Sequence, residues 1–340
     1  MREQNHNKII VTWLLFVTVS ILLIIIIGGI TRLTGSGLSM VDWKPLMGSI
    51  PPLSHDDWLK TFSLYQSSPQ YQLVNLNMTL ASFKVIFFWE YLHRMIARFI
   101  GLALIIPFIV FRFKNIIPKW LNKHIILMII GVIFQGVLGW FMVKSGLVHD
   151  PEVSHYRLAA HLTTALLLLQ YIIWIVLNLV FKSKKTNHKL ATALRLWSIG
   201  IIIQIIYGAF TAGKKAGWGY NTYPKMGDKW LPDAAFMYDG FIANMFENPV
   251  MIQFIHRHLG VVLSIVFIGL GIKLLKANET QFELRISCIS VFTILALQIL
   301  LGILTLILKV PTSLAVLHQL TGAILLISIT CLNYFLTYRN

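Results

Sequence analysis

The sequence predicts an all-α integral membrane protein of eight transmembrane helices, arranged as two tandem pseudo-symmetric four-helix bundles. Three observations carry that prediction. Hydrophobic residues fill 56% of the 340 positions and charged residues only 12%, about half the charge of a soluble domain. The apolar residues gather into runs of roughly 20, the length of a helix that crosses a bilayer. The same polar marks also recur, in the same order, in the two halves of the chain. A soluble fold would leave such runs without a water-facing side.

The spans fall at about 9–30, 92–111, 124–143, 158–181, 192–212, 252–275, 286–308 and 313–337, each bounded by charge, Pro, Gly or Asn. Arg2 and Lys8 precede the first run, which is too long for a signal-peptide core and is followed by no evident cleavage site. The head lacks the Arg- and Ser-rich character of a transit peptide, so a bacterial inner (plasma) membrane is the expected home. In the long connection 31–91, Ser54-His55-Asp56-Asp57 reads as a helix start. Trp58, Phe62 and Tyr65 follow at helical spacing, a short surface helix serving as an aromatic interface anchor or as a lid.

The short connections hold the basic residues. Arg112, Lys114, Lys119 and Lys123 follow span two; Lys182, Lys184, Lys185, Lys189 and Arg195 follow span four; Lys273, Lys276 and Arg285 follow span six. In the long connections 31–91 and 213–251 bases are mixed with acids. Both termini are therefore expected to be cytoplasmic. The same distribution accounts for the net charge of +16 without a nucleic-acid partner. The two cysteines, Cys288 and Cys331, lie inside apolar segments and form no disulfide framework or zinc spacing.

The repeat sets the domain organisation. Gly28, Thr31, Ser36 and Gly37 recur as Gly208, Thr211, Ala216 and Gly217. His93-Arg94 recurs as His256-Arg257, Gln135 and Gly139 as Gln298 and Gly302, and His161 as His318. Residues 1–185 and 186–340 thus form two four-span halves. Four is even, so both halves share one orientation, related by an axis along the membrane normal.

His93, His161, His256 and His318 sit at the outer ends of the even-numbered spans. The other seven histidines (His6, His55, His124, His149, His155, His188 and His258) stay unassigned. A single intramembrane histidine reads as a hydrogen-bonded structural residue. Four at equivalent repeat positions point to haem, because imidazole pairs on facing helices clamp a macrocycle in a bundle. The residues four positions on, Ala97, Ala165, Gly260 and Gly322, are small and lie on the same face, leaving a slot for a flat ring. Zinc or copper would call for closer-set ligands.

Glu90 lies on the His93 face at i, i+3, and its counterpart in the second half is Gln253. One carboxylate between two haem sites implies unequal roles, one reactive and one an electron store. The alternative is an interfacial acid paired with Arg94 or Arg98. Arg94 and Arg257 are candidates for binding propionates, or snorkel to the interface.

At these positions the chain resembles the haem A synthase family. The likeness rests on Gly29-Ile30-Thr31-Arg32-Leu33-Thr34 with Ser36-Gly37-Leu38-Ser39, on Glu90-Tyr91-Leu92-His93-Arg94, and on Gln135-Gly136-Val137-Leu138-Gly139-Trp140 with Met142-Val143. It continues through Ala159-Ala160-His161, His256-Arg257 and His318-Gln319, from about residue 10 to 335. The resemblance implies that His256 and His318 hold a haem b cofactor and that His93 and His161 hold the substrate haem O. It implies that Glu90 is catalytic, and that the C8 methyl of haem O becomes a formyl by two hydroxylations and loss of water, yielding haem A for terminal oxidase assembly. Some members carry a cysteine pair in the first outer loop; residues 31–91 have none, which resembles the alphaproteobacterial and mitochondrial branch.

Two other functions fit the same residues, a di-haem b electron carrier and a haem-delivery or assembly factor. Imidazoles at one depth argue against the carrier. The absence of an Asp-rich pyrophosphate motif disfavours a farnesyltransferase. The expected partners are haem O, a haem O synthase, an electron donor and the lipid bilayer, with oligomer formation left open.

Overall fold

The computed structural model describes residues 2–41, 48, 50–146, 151–181, 184–185, 188–277 and 281–339. His149 and Lys182 lie outside the described residues. In chain order the helices are α1 (Arg2–Leu33), α2 (His55–Gln66), α3 (Pro69–Leu73), α4 (Leu80–Phe113), α5 (Lys119–Ser145), α6 (His155–Val180), α7 (Ala191–Gly213), α8 (Phe241–Glu247), α9 (Pro249–Leu275), α10 (Phe282–Ile307) and α11 (Thr312–Thr337). A two-residue ladder pairs β1 (Lys184–Lys185) antiparallel with β2 (Tyr338–Arg339). Eight of the described helices are long and apolar enough to cross a membrane, α1, α4, α5, α6, α7, α9, α10 and α11. The chain is an all-α, multi-pass membrane protein. Val19, Ile133, Leu196 and Ile265 stand exposed on these helices, as hydrocarbon-facing side chains should.

Helix α4 differs from its predicted span. It begins at Leu80 rather than near 92, because Lys84 and Glu90 interrupt the apolar run without interrupting the helix. Thr79 caps it, accepting from Ser82 N, and Phe83, Ile86 and Phe87 give its first turns a buried face. The predicted surface helix is α2. It opens with a capping box, Ser54 and Asp57 each satisfying the other's backbone N–H. Its aromatic face turns onto α4 instead of outward: Tyr65 stacks on Phe83 at 5.0 Å and Trp58 meets Phe87 edge-on at 5.1 Å.

The chain forms two compact units, Val19–His161 and Met1–Thr18 with Leu162–Asn340; the division falls inside α1 and α6. In the first unit, Thr31 on α1 donates to Trp89 O on α4 at 3.3 Å, tying the two helices beside Glu90. In the second, the buried Trp197 Nε1 of α7 donates to Leu263 O of α9 at 2.8 Å, and Gly200 leaves room for the Leu263 side chain.

Candidate functional site

Each unit holds two of the four predicted histidines. In the first, His93 projects from α4 onto α1. A Cβ at Gly28 would lie 3.0 Å from His93 Cε1, so only glycine lets the ring approach this closely. The His93 Nδ1 atom is buried and has no hydrogen-bond partner among the described residues. His161 on α6 faces Gly139 of α5, where an added Cβ would lie 3.5 Å from its Cε1.

One turn from His93, Glu90 is buried. Its Oε2 accepts from Ser39 Oγ at 2.6 Å and from Met40 N at 2.9 Å. Its Oε1 accepts from Arg94 at 2.5 Å, and Arg94 also donates to Met40 O at 3.2 Å. A buried carboxylate thus has three donors, the satisfaction that a charge out of water requires. Of the two arginines named as partners, Arg94 makes the ion pair. Arg98 lies against Met95 Sδ at 3.6 Å.

In the second unit, His256 of α9 packs on Gly208 of α7, and His318 of α11 on Gly302 of α10, with hypothetical Cβ distances of 3.0 and 2.9 Å. Both rings are tethered. His256 Nδ1 donates to Gln204 O at 3.2 Å and His318 Nδ1 to Gln298 O at 3.1 Å. That leaves Nε2 as the nitrogen with a lone pair on each ring. The Gln298 amide lies 3.5 Å from His318 Nε2. The two ring centres are 6.4 Å apart and their planes 84° apart. Two imidazoles on opposite sides of one metal ion sit about 6.3 Å apart, from metal–nitrogen bonds of about 2.0–2.1 Å and about 1.1 Å from each nitrogen to its ring centre. The donor set and spacing are such that His256 and His318 would hold a haem iron between them.

Gln253, at the place of Glu90, is buried, donates to Gly219 O at 3.2 Å and leaves Oε1 unpartnered. Arg257 donates to the carbonyls of Tyr220, Thr222, Pro224 and Lys225 at 2.6–3.4 Å, while its buried Nε has no partner. Among the described residues, no three His, Cys, Asp or Glu side chains converge as a metal cluster.

The slot expected one turn below each C-terminal histidine is filled by protein. The Gln204 amide nitrogen would lie 3.0 Å from a Cβ at Gly260, and that of Gln298 3.4 Å from one at Gly322. Gly260 and Gly322 therefore admit glutamine amides from the neighbouring helices. His258 turns to its own helix, Nδ1 donating to Phe254 O at 2.9 Å. His155 is buried against Tyr156, and His188 accepts from Leu190 N.

Comparison with known proteins places this geometry. The family model described as COX15-CtaA, cytochrome oxidase assembly protein, matches residues 11–330. The chain belongs to the COX15-CtaA family. Its relatives in that family include a protein named "Heme A synthase" from Nitrosospira multiformis, 40% identical over 325 residues, covering 94% of this chain and 91% of the relative. Another of that name, from Rhizorhabdus wittichii, is 41% identical over 317 residues, 92% of this chain and 90% of its own. A third, from Wolbachia pipientis of Culex pipiens, is 39% identical over 331 residues, 96% and 98% of the two chains. The COX15-CtaA match runs through both units, so all four histidines, Glu90 and both arginines lie within it. Two members of the site had no assigned role in the sequence reading. Ser39 stands in a motif but its partner is 51 positions away. Gln204 has no glutamine at the matching place in the first half, where Ile24 stands.

Proposed function

We propose that the protein is a haem A synthase, oxidising the C8 methyl of haem O to a formyl group for terminal oxidase assembly. The observation that carries the reading is the His256–His318 pair, at 6.4 Å with both Nδ1 atoms tethered. It is supported by the relatives' printed name and by the match over 11–330.

On this reading His256 and His318 hold a haem b, while His93 and His161 hold haem O. A bound haem supplies one-electron transfer at its iron. Arg257, with a spare buried Nε–H, and Arg94 are the residues expected to pair with propionates. Glu90 serves the N-terminal site. Its carboxylate, held by Ser39, Met40 N and Arg94, takes or returns protons as the methyl is hydroxylated twice and the resulting diol loses water. Gln253 cannot ionise, which leaves the C-terminal haem to store electrons. Residues 1–185 and 186–340 are the substrate and cofactor halves, related as tandem repeats. The paired Gly28–His93 and Gly208–His256 contacts support that repeat. The basic short connections support an inner-membrane protein with both termini cytoplasmic. Haem O synthase and an electron donor are its expected partners.

The test is co-expression with a haem O synthase in a host lacking haem A, followed by haem extraction. Formylated haem is expected, and its loss in Glu90→Ala and His93→Ala. Recovery of haem O alone from the wild-type strain would reject the activity.

A further inference from the structure

We propose that Gln70, aimed by Tyr65, is a positioning residue for the Glu90 carboxylate, acting through the loop that binds it. The inference rests on the catalytic reading of Glu90 above and adds how the outer helices α2 and α3 reach that site.

Glu90 Oε2 takes two donors from neighbouring residues, Ser39 Oγ at 2.6 Å and Met40 N at 2.9 Å. Both stand on an irregular stretch after α1, where no helix fixes their direction. That stretch is gripped at its near end by α3. Gly35, in a left-handed conformation with φ of 65°, offers its carbonyl to Gln70 Nε2 at 2.8 Å, and Ser39 and Met40 follow four and five residues later. A relay of donors sets the amide. Asn75 Nδ2 donates to Tyr65 Oη at 2.8 Å, and Tyr65 donates in turn to Gln70 Oε1 at 3.0 Å. A hydroxyl that already accepts from Asn75 still has its proton to give, so Oε1 faces Tyr65 and Nε2 faces Gly35. Tyr65 and Gln70 are both buried, where an unpaired amide is costly.

The far end of the stretch meets the same tyrosine. Met40 packs on the cluster of Tyr65, Phe83, Ile86 and Phe87, and Arg94 donates to its carbonyl at 3.2 Å. Tyr65 thus secures the loop on both sides of the donor pair, through Gln70 at Gly35 and through the aromatic cluster at Met40. The tolerance is small. A contact of about 3.6 Å is no longer a hydrogen bond, so a drift of the loop by about 1 Å would release Glu90 Oε2 from both donors. Misplacement of about 1 Å beside a reacting group costs on the order of 100-fold in rate.

The test uses the full chain with two readouts: haem A formed in the host that co-expresses a haem O synthase, and haem O affinity by absorbance titration of the purified protein. Gln70→Met keeps the side-chain length and removes the amide. It is expected to lower haem A formation by roughly 10- to 100-fold and to leave haem O affinity unchanged, a split that a merely structural role would not produce. Tyr65→Phe keeps the ring stacked on Phe83 and is expected to give a smaller loss of the same kind. Ser39→Ala/Gln70→Met should form no less haem A than Ser39→Ala, because both changes act through one loop. Wild-type haem A formation in Gln70→Met, a loss of haem O affinity that matches the loss of rate, or additive effects in the double variant would each overturn the proposal. If Gln70→Met does not accumulate in the membrane, wild-type formation in Tyr65→Phe overturns it. Should Glu90→Gln itself keep wild-type formation, the catalytic reading of Glu90 fails first, and this proposal with it.

Discussion

Alanine at the glycines beneath the histidines tests the candidate ligand geometry directly. In Gly302→Ala the new Cβ would lie 2.9 Å from His318 Cε1, and in Gly208→Ala 3.0 Å from His256 Cε1. Carbon atoms rest at about 3.5–4.0 Å, so each ring must retreat by about 0.5–1 Å. Neither can swing aside freely, because its Nδ1 is tied to a backbone carbonyl. Metal–ligand distances tolerate only about 0.2 Å. Overpacking of this kind costs about 1–3 kcal/mol, which corresponds to a roughly 5- to 150-fold loss of haem affinity. Gly28→Ala meets His93 at the same 3.0 Å, but that ring lacks the tether and gives way at less cost. Gly139→Ala makes an ordinary 3.5 Å contact, and at Gly136 and Gly269 an added Cβ meets nothing within 4 Å. The last two gain up to about 1 kcal/mol of helix propensity and serve as controls. Haem titration by absorbance gives the ranking: Gly302 and Gly208 worst, Gly28 next, Gly139 mild, Gly136 and Gly269 unchanged. Wild-type affinity in Gly208→Ala and Gly302→Ala, or equal damage in Gly136→Ala, would refute the reasoning.

Arg94→Leu leaves the Glu90 carboxylate buried without its cation and should destabilise the protein by about 3–5 kcal/mol. Glu90→Gln/Arg94→Leu should recover much of that, and denaturation of the four proteins in detergent forms a double-mutant cycle whose additivity would deny the coupling. Hydrogen bonds from the Ser54 side chain and backbone hold the Asp57 carboxyl below its usual value. Its folded-state value being depressed, the α2 cap is fully present above about pH 3.9 and is lost as pH falls through the lowered value. Hydrogen exchange in α2 should rise over that interval, and Ser54→Ala should remove the dependence; a flat wild-type profile contradicts it. Arg257→Leu frees four loop carbonyls and should speed trypsin cleavage after Lys225. Unchanged cleavage would show that the loop is held by other contacts.

Eight spans were legible because bilayer hydrocarbon imposes a length and an apolarity that survive in composition. The start of α4 was not, since a hydropathy window registers Lys84 and Glu90 as a boundary while the helix runs through them on the strength of the Thr79 cap and the Phe83–Phe87 face. The histidines were visible as repeats. Gln204 was invisible by the same method, since self-comparison finds what two halves share and Gln204 is where they differ. Gly260 and Gly322 were read as leaving a slot for a flat ring, but small residues say only that something approaches, and here it is an amide. Arg257 donates to loop carbonyls, and a carbonyl belongs to every residue, so no sequence signal points to it.

The exchange of Glu90 for Gln253 is a change of a set rather than of one residue. The carboxylate only accepts, so the loop opposite presents donors, Ser39 Oγ and Met40 N. The amide donates, so the corresponding loop presents an acceptor, Gly219 O. Arg94 finds its countercharge on Glu90. Arg257 is given no acid by Gln253 and closes on four carbonyl dipoles instead. Glu90→Gln alone would therefore not turn the first site into the second. Two donors on the Ser39–Met40 loop would face an amide with a single acceptor oxygen, and Arg94 would lose its counterion in a buried setting. A loop that reverses its hydrogen-bond polarity along with its partner therefore marks where the two halves differ as sets of residues.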